Sequence, residues 1–127
     1  MLQLKKKIRW VTATLFLMTA LAFSLSAQDA KLAAQYYRDG EYEKASILYQ
    51  KLYAANNNTY YFDKYIDCLL NLERYDQCEN ILKKEIKRNP KDVELYVTYG
   101  NVLERQFREE EAEKQYEQAL KKLPAQI

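Results

Sequence analysis

The sequence predicts an all-α chain built from repeated pairs of antiparallel helices, and three observations carry that reading. From Gln28 onward the apolar residues recur three and four positions apart, as on one face of a helix, and not in the alternation of a half-buried strand. The polar breaks between these stripes are themselves periodic, at 33 to 34 residues. Two Gly and two Pro in 127 residues leave little material for short strands joined by tight turns. The length suits one domain.

Residues 1–27 stand apart from this pattern. They hold Lys5, Lys6, Lys7 and Arg9 and no acid, so without them the chain has 16 basic against 18 acidic residues. The net charge of +2 therefore belongs to this segment and gives no ground for expecting nucleic acid as a partner. Behind the basic stretch lies a charge-free run with Leu15, Phe16, Leu17, Met18, Leu21 and Phe23, then the small residues Ser24, Ser26 and Ala27. A positive end, a short apolar core and small residues at a cut describe a secretory signal peptide, with the cut just before Ala27, Gln28 or Asp29. The competing reading is an uncleaved anchor through residues 10–27, the chain's only expected membrane contact. That run, Trp10 to Ala27, is 18 residues, at the short limit for a span, and three Thr and two Ser interrupt it. Under both readings the remainder is exported, to the periplasm, the cell envelope or the medium.

The first repeat is expected over 28–58. Leu48, Tyr49 and Leu52 line one face of its second helix, and Gly40 supplies the permissive turn between helices. The second spans 59–92, with Phe62, Tyr65, Ile66 and Leu69 on one helix and Ile81, Leu82 and Ile86 on the other; Pro90 ends it. The third spans 93–127. Asp92 caps its first helix, whose stripe is Tyr96, Tyr99, Gly100 and Leu103, and Ala112, Tyr116, Ala119 and Leu123 form the inner stripe of the last. The register is kept throughout. Tyr42 and Tyr75 are 33 apart, and Ala45, Cys78 and Ala112 are 33 and then 34 apart. Tyr49, Leu82 and Tyr116 keep these steps, as do Asn57, Pro90 and Pro124. Such a period, made of two helices, is the mark of a helical solenoid.

Particular residues then carry a family likeness. The first unit reads Gln35-Tyr36-Tyr37-Arg38-Asp39-Gly40-Glu41-Tyr42-Glu43-Lys44-Ala45, followed by Tyr49-Gln50-Lys51-Leu52. The third reads Tyr96-Val97-Thr98-Tyr99-Gly100, then Glu111-Ala112, Tyr116 to Leu120 and Pro124. These segments resemble the tetratricopeptide repeat over about 100 residues. The resemblance implies three antiparallel helix pairs stacked as a right-handed superhelix, with small residues where paired helices cross: Ala33 with Ala45, and Gly100 with Ala112. The middle unit departs from the pattern. Ile66, Cys78 and Glu85 fill its small-residue slots and Glu73 stands where Gly is usual; the turn at Phe107 also lacks Gly.

Little here supports catalysis. The chain has no His, the commonest general base and metal ligand, and two Cys cannot make a four-thiolate zinc site. No Gly-rich phosphate loop is present. Glu41, Glu43 and Glu109-Glu110-Glu111 flank helix starts, where negative charge is favourable. No enzyme activity, cofactor or metal is expected. Tyr36, Tyr49, Tyr65, Tyr99 and Tyr116 are read as core, where a Tyr contributes area and needs one partner for its hydroxyl. Cys68 and Cys78, ten apart on the two helices of one unit, are either a disulfide favoured by export or two buried thiols, the latter ahead.

Binding is the better-supported role. By the family resemblance a concave face formed by the first helix of each unit would present Ala34, Tyr37, Arg38, Tyr60, Asp63, Asp67, Asn71, Val97, Asn101, Glu104 and Arg105 to a protein or peptide. The alternative is that this face is merely solvated, or covered by more of the same chain. Some family members grip a C-terminal carboxylate with Lys and Asn in the first unit; Ala30 and Ala34 occupy those places here, so that function does not carry over. The expected role is a non-catalytic protein-interaction scaffold of the cell envelope. The alternatives are the N-terminal structural part of a longer repeat protein, or an accessory domain of an enzyme whose catalytic part lies elsewhere. The last helix has no successor but Pro124-Ala125-Gln126-Ile127. Leu103, Phe107, Tyr116, Leu120 and Leu123 are therefore expected to be partly exposed, a surface for self-association.

Overall fold

The computed structural model describes residues 1–124, with Phe23 described by its backbone; the expected tail residues Ala125, Gln126 and Ile127 lie outside them. Six helices follow one another: α1 (Leu2–Arg38), α2 (Tyr42–Asn56), α3 (Thr59–Asn71), α4 (Tyr75–Arg88), α5 (Val93–Glu104) and α6 (Glu109–Lys122). No strand occurs among the described residues. The chain divides into two compact units, Met1–Tyr65 and a second that begins at Ile66, so the division falls inside α3.

Three of the connections are the same turn made three times. At Gly40 (φ 75°), Glu73 (φ 56°) and Phe107 (φ 58°) the backbone enters the left-handed region. Each time the next residue's N–H reaches back five residues: Glu41 to the Tyr36 carbonyl (2.8 Å), Arg74 to Leu69 (2.9 Å), Arg108 to Leu103 (3.1 Å). The left-handed residue itself donates to the carbonyl three before it, at 3.2, 3.1 and 2.9 Å. This pair of bonds is the Schellman arrangement, which satisfies carbonyls that a helix end would leave orphaned. The turns thus recur with the 33- and 34-residue steps of the sequence, although Gly stands at the first of them only.

In the first unit α1 packs on α2. Ala33 and Ala45 are both fully buried, as small residues at a helix crossing would be. Lys51 meets Asp29 at 2.8 Å and Lys44 pairs with Glu41. Asn57 (φ 50°) closes α2, donating to the Tyr53 carbonyl at 2.7 Å, and Asn58 Oδ1 takes the N–H of Tyr60 at 2.9 Å to start α3. Helix α1 runs through residues 27 and 28 without a break. Its N-terminal part contains an 18-residue window of mean hydropathy 1.6, none of it buried, which is long and apolar enough to cross a membrane. A secretory signal has the same composition. The hydroxyls of Thr12, Thr14 and Thr19 donate to carbonyls three or four residues back (Ile8 2.9 Å, Trp10 2.9 Å, Phe16 2.8 Å), so these Thr are satisfied within the helix.

In the second unit α5 packs on both α4 and α6. Leu82, Val102, Leu103 and Ala112 are at most 1% exposed. Asp92 caps α5 by accepting the Glu94 N–H at 3.1 Å, as expected. A Cβ on Gly100 would fall 2.6 Å from Cζ of Tyr116, so glycine here makes room for that ring. Three expectations change. Leu103 is buried, because α5 is covered by helices on two sides. Leu123 does not join the inner stripe of α6; the helix stops at Lys122, and extended backbone leaves Leu123 51% exposed. Tyr36 is only half-buried, whereas Tyr49, Tyr65 and Tyr99 are core; Tyr116, read both as core and as partly exposed, is half-buried.

Candidate functional site

The predicted partner-binding residues behave differently from one another. In the first unit Ala34 is half-buried and Arg38, Tyr60 and Asp63 are exposed. Tyr37 is already engaged: its ring stands edge-on to Tyr42 at 5.6 Å and to Tyr49 at 6.4 Å. The Lys64 ammonium sits 4.1 Å from the centre of Tyr37 and 6.0 Å from that of Tyr60, joining two of the predicted residues through one cation. Lys64 was not among the predicted residues, and the family register gave no reason to include it.

In the second unit Asn71 turns back to its own helix, donating from Nδ2 to the Asp67 carbonyl at 2.8 Å. Asn101 Oδ1 accepts from the Tyr116 hydroxyl at 2.8 Å, which holds Asn101 against α6. Asp67 and Val97 are half-buried, and Glu104 and Arg105 are exposed at the end of α5. Cys68 and Cys78 are both fully buried thiols and no disulfide joins them. The Cys78 sulfur lies 3.9 Å from the Ile66 carbonyl, and burial pushes its thiol up to about 12. A thiol so buried and so weakly acidic is unreactive.

The strongest electrostatic feature is one the sequence reading missed. Glu79 is 6% exposed, yet it accepts from Gln106 Nε2 (3.0 Å), Tyr99 Oη (3.2 Å) and Arg108 Nη1, with Lys83 Nζ at 3.5 Å. Arg108 also grips Glu111 through Nε (2.8 Å) and Nη2 (2.6 Å). Helices α4 and α5, the turn after α5 and α6 thus meet at one carboxylate. Burial by itself would raise the Glu79 carboxyl, but the bonds from Gln106, Arg108 and Tyr99 outweigh it and hold the group below its ordinary value. Lys83 is raised, first by its bond to Tyr99 and then by nearby Glu79. The only sequence signal was weak: Glu79 follows the small-residue slot at Cys78, as the buried Ser46 follows Ala45.

Likeness to solved structures places this architecture. No family model matches the chain. No curated protein matches it either. Solved structures do. MamA MSR-1 superposes with a TM-score of 0.60 at 21% identity, over 76% of this chain and 56% of that one. MamA AMB-1 gives 0.56 at 23% identity, over 73% and 51%. A point mutant of MamA gives 0.59 at 22% identity, over 79% and 74%. The chain therefore spans little more than half of the first two structures it resembles. MamA is a tetratricopeptide-repeat protein, and the fold of this chain is the tetratricopeptide-repeat helical solenoid.

Proposed function

We propose that the protein is an exported, non-catalytic scaffold of the cell envelope that binds a protein or peptide through its first-helix residues. The observation that carries the reading is the repeat fold with polar first-helix side chains left open to solvent: Arg38, Tyr60 and Asp63 in one unit, Glu104 and Arg105 in the other. Repeat folds use such faces for recognition because a row of short helices presents side chains at regular spacing. Residues 1–27 are the export segment under this reading. Site-specific photocrosslinking in cells tests the face. A crosslinking residue at Tyr60, Asp63, Glu104 or Arg105 should capture a discrete protein band, and the same group at Asn80 or Glu117 should not. Equal capture from both sets, or none from either, would reject the face as a binding surface.

A second reading has its own observation. Leu120 is 67% exposed and Leu123 51%, an apolar pair at the C-terminal end of α6, and Phe107, 90% exposed, stands beyond its other end. Solenoid ends are normally polar. This group favours self-association, or packing against further repeats of a longer protein.

A further inference from the structure

Six exposed cations gather at one end of the second unit. Lys87 and Arg88 close α4 with Lys84 a turn before them, Lys91 follows in the connection to α5, and Lys121 and Lys122 close α6. Two contacts show that these groups share one end. Tyr96 donates its hydroxyl to the Pro90 carbonyl at 2.8 Å, and the Lys122 ammonium lies 5.9 Å from the centre of the Tyr96 ring. Of the acids here, Glu85 is buried and takes Arg88 at 2.8 Å, Asp92 is committed to capping α5, and Glu94 sits in the first turn of that helix. With Glu117, a turn before Lys121, six cations therefore stand against four carboxylates, Arg88 and Glu85 being paired and Asp92 committed to its cap. The other end is the reverse: Asp76 begins α4, and Glu109, Glu110 and Glu111 begin α6.

Helix dipoles favour bases at helix C-termini, which accounts for part of this pattern. They do not account for Lys91, which lies in the connection beyond α4. The chain also carries, in α1, a window long and apolar enough to cross a membrane, which makes a bilayer the anionic surface to consider.

We infer that the basic end of the second unit is a docking surface for anionic lipid headgroups. Lys ammonium groups on long stems reach phosphates without a shaped pocket, and several acting together are attracted within a Debye length of a charged bilayer. The inference rests on the reading that the chain is delivered to a membrane compartment. It does not depend on whether residues 1–27 stay attached, nor on the first-helix face.

Lysine acylation footprinting of the full chain reconstituted into vesicles tests it. With phosphatidylglycerol in the bilayer, Lys84, Lys87, Lys91, Lys121 and Lys122 should acylate at least about threefold more slowly than in phosphatidylcholine alone. Lys31 and Lys114 should be unchanged, and high salt should abolish the difference. The Lys84→Glu, Lys87→Glu, Lys91→Glu triple variant should lose the protection at Lys121 and Lys122, whereas Lys114→Glu should keep it. Equal rates in the two bilayers would overturn the inference, as would equal protection by inorganic phosphate, which would make the end a small-anion site. Protection by soluble polyglutamate but not by anionic vesicles would assign it to an acidic protein and overturn it too.

Discussion

Phe107 shows how a single residue can oppose the fold that holds it. Its backbone is left-handed and its side chain is 90% exposed, so it bears the steric cost of φ 58° and gains almost no burial in return. Gly40 occupies the equivalent turn at φ 75° without that cost. Phe107→Gly should therefore stabilise the protein by up to about 1 kcal/mol, seen as a raised urea midpoint. Glu79 is the opposite case, a residue whose value lies wholly in its surroundings. Its folded carboxyl is held below the ordinary range, first against burial and then by Gln106, Arg108 and Tyr99. Its contribution is thus present above the unfolded value of about 4.3 and is lost as pH falls through the lower folded value. Stability should drop as pH is lowered below about 4, and Glu79→Gln should flatten that part of the profile while lowering stability at neutral pH. Urea melts across that pH range check both. A variant with an unchanged acid slope would show that other carboxylates set it.

Helices come next in scale, and here close crossings decide what is tolerated. Ala112 is 1% exposed while Glu110 is solvated, only two residues away on α6. Ala112→Leu should cost about 1–3 kcal/mol by overpacking, and Glu110→Leu should cost little. Equal thermal shifts in the two variants would contradict the register. Helix α1 raises a question of processing. It is continuous over the expected cut, and Asp29 just beyond it pairs with Lys51. Export with cleavage should leave envelope protein that begins at Ala27, Gln28 or Asp29. N-terminal sequencing reads this directly; a chain still beginning at Met1 would favour the anchor, a role that the satisfied Thr12, Thr14 and Thr19 hydroxyls would suit.

For the molecule as a whole, the exposed apolar group at α6 bears on assembly. Scattered surface apolars need no explanation, but Leu120 and Leu123 both stand exposed at the C-terminal end of α6, where apolar side chains suit an interface. Residues 28–127 should self-associate in sedimentation at high concentration, and the Leu120→Glu, Leu123→Glu double change should restore monomers. A wild-type chain that stays monomeric and melts cooperatively at ordinary temperature would remove this patch as an interface. Leu103, expected in the same patch, takes no part.

The helices, their order and the period of their turns were legible in the sequence, because amphipathic spacing and capping are local: Asp92 caps α5, and Ala33 and Ala45 are both 0% exposed. Even the turns at Glu73 and Phe107 could be placed without glycine, since the flanking register fixed where each helix had to end. What each side chain does across helices was decided by tertiary structure alone. Glu79 looked like any helical surface acid until α5, the Gln106 turn and Arg108 closed over it. Leu103 looked terminal until α4 and α6 both covered its helix, and Leu123, readable as inner stripe or as exposed end, became the latter when the backbone turned out of α6 before it. The reason is physical. A helical period names the face a residue lies on, but burial and ion pairing depend on which other elements arrive at that face, and that is a property of packing between segments far apart in the chain.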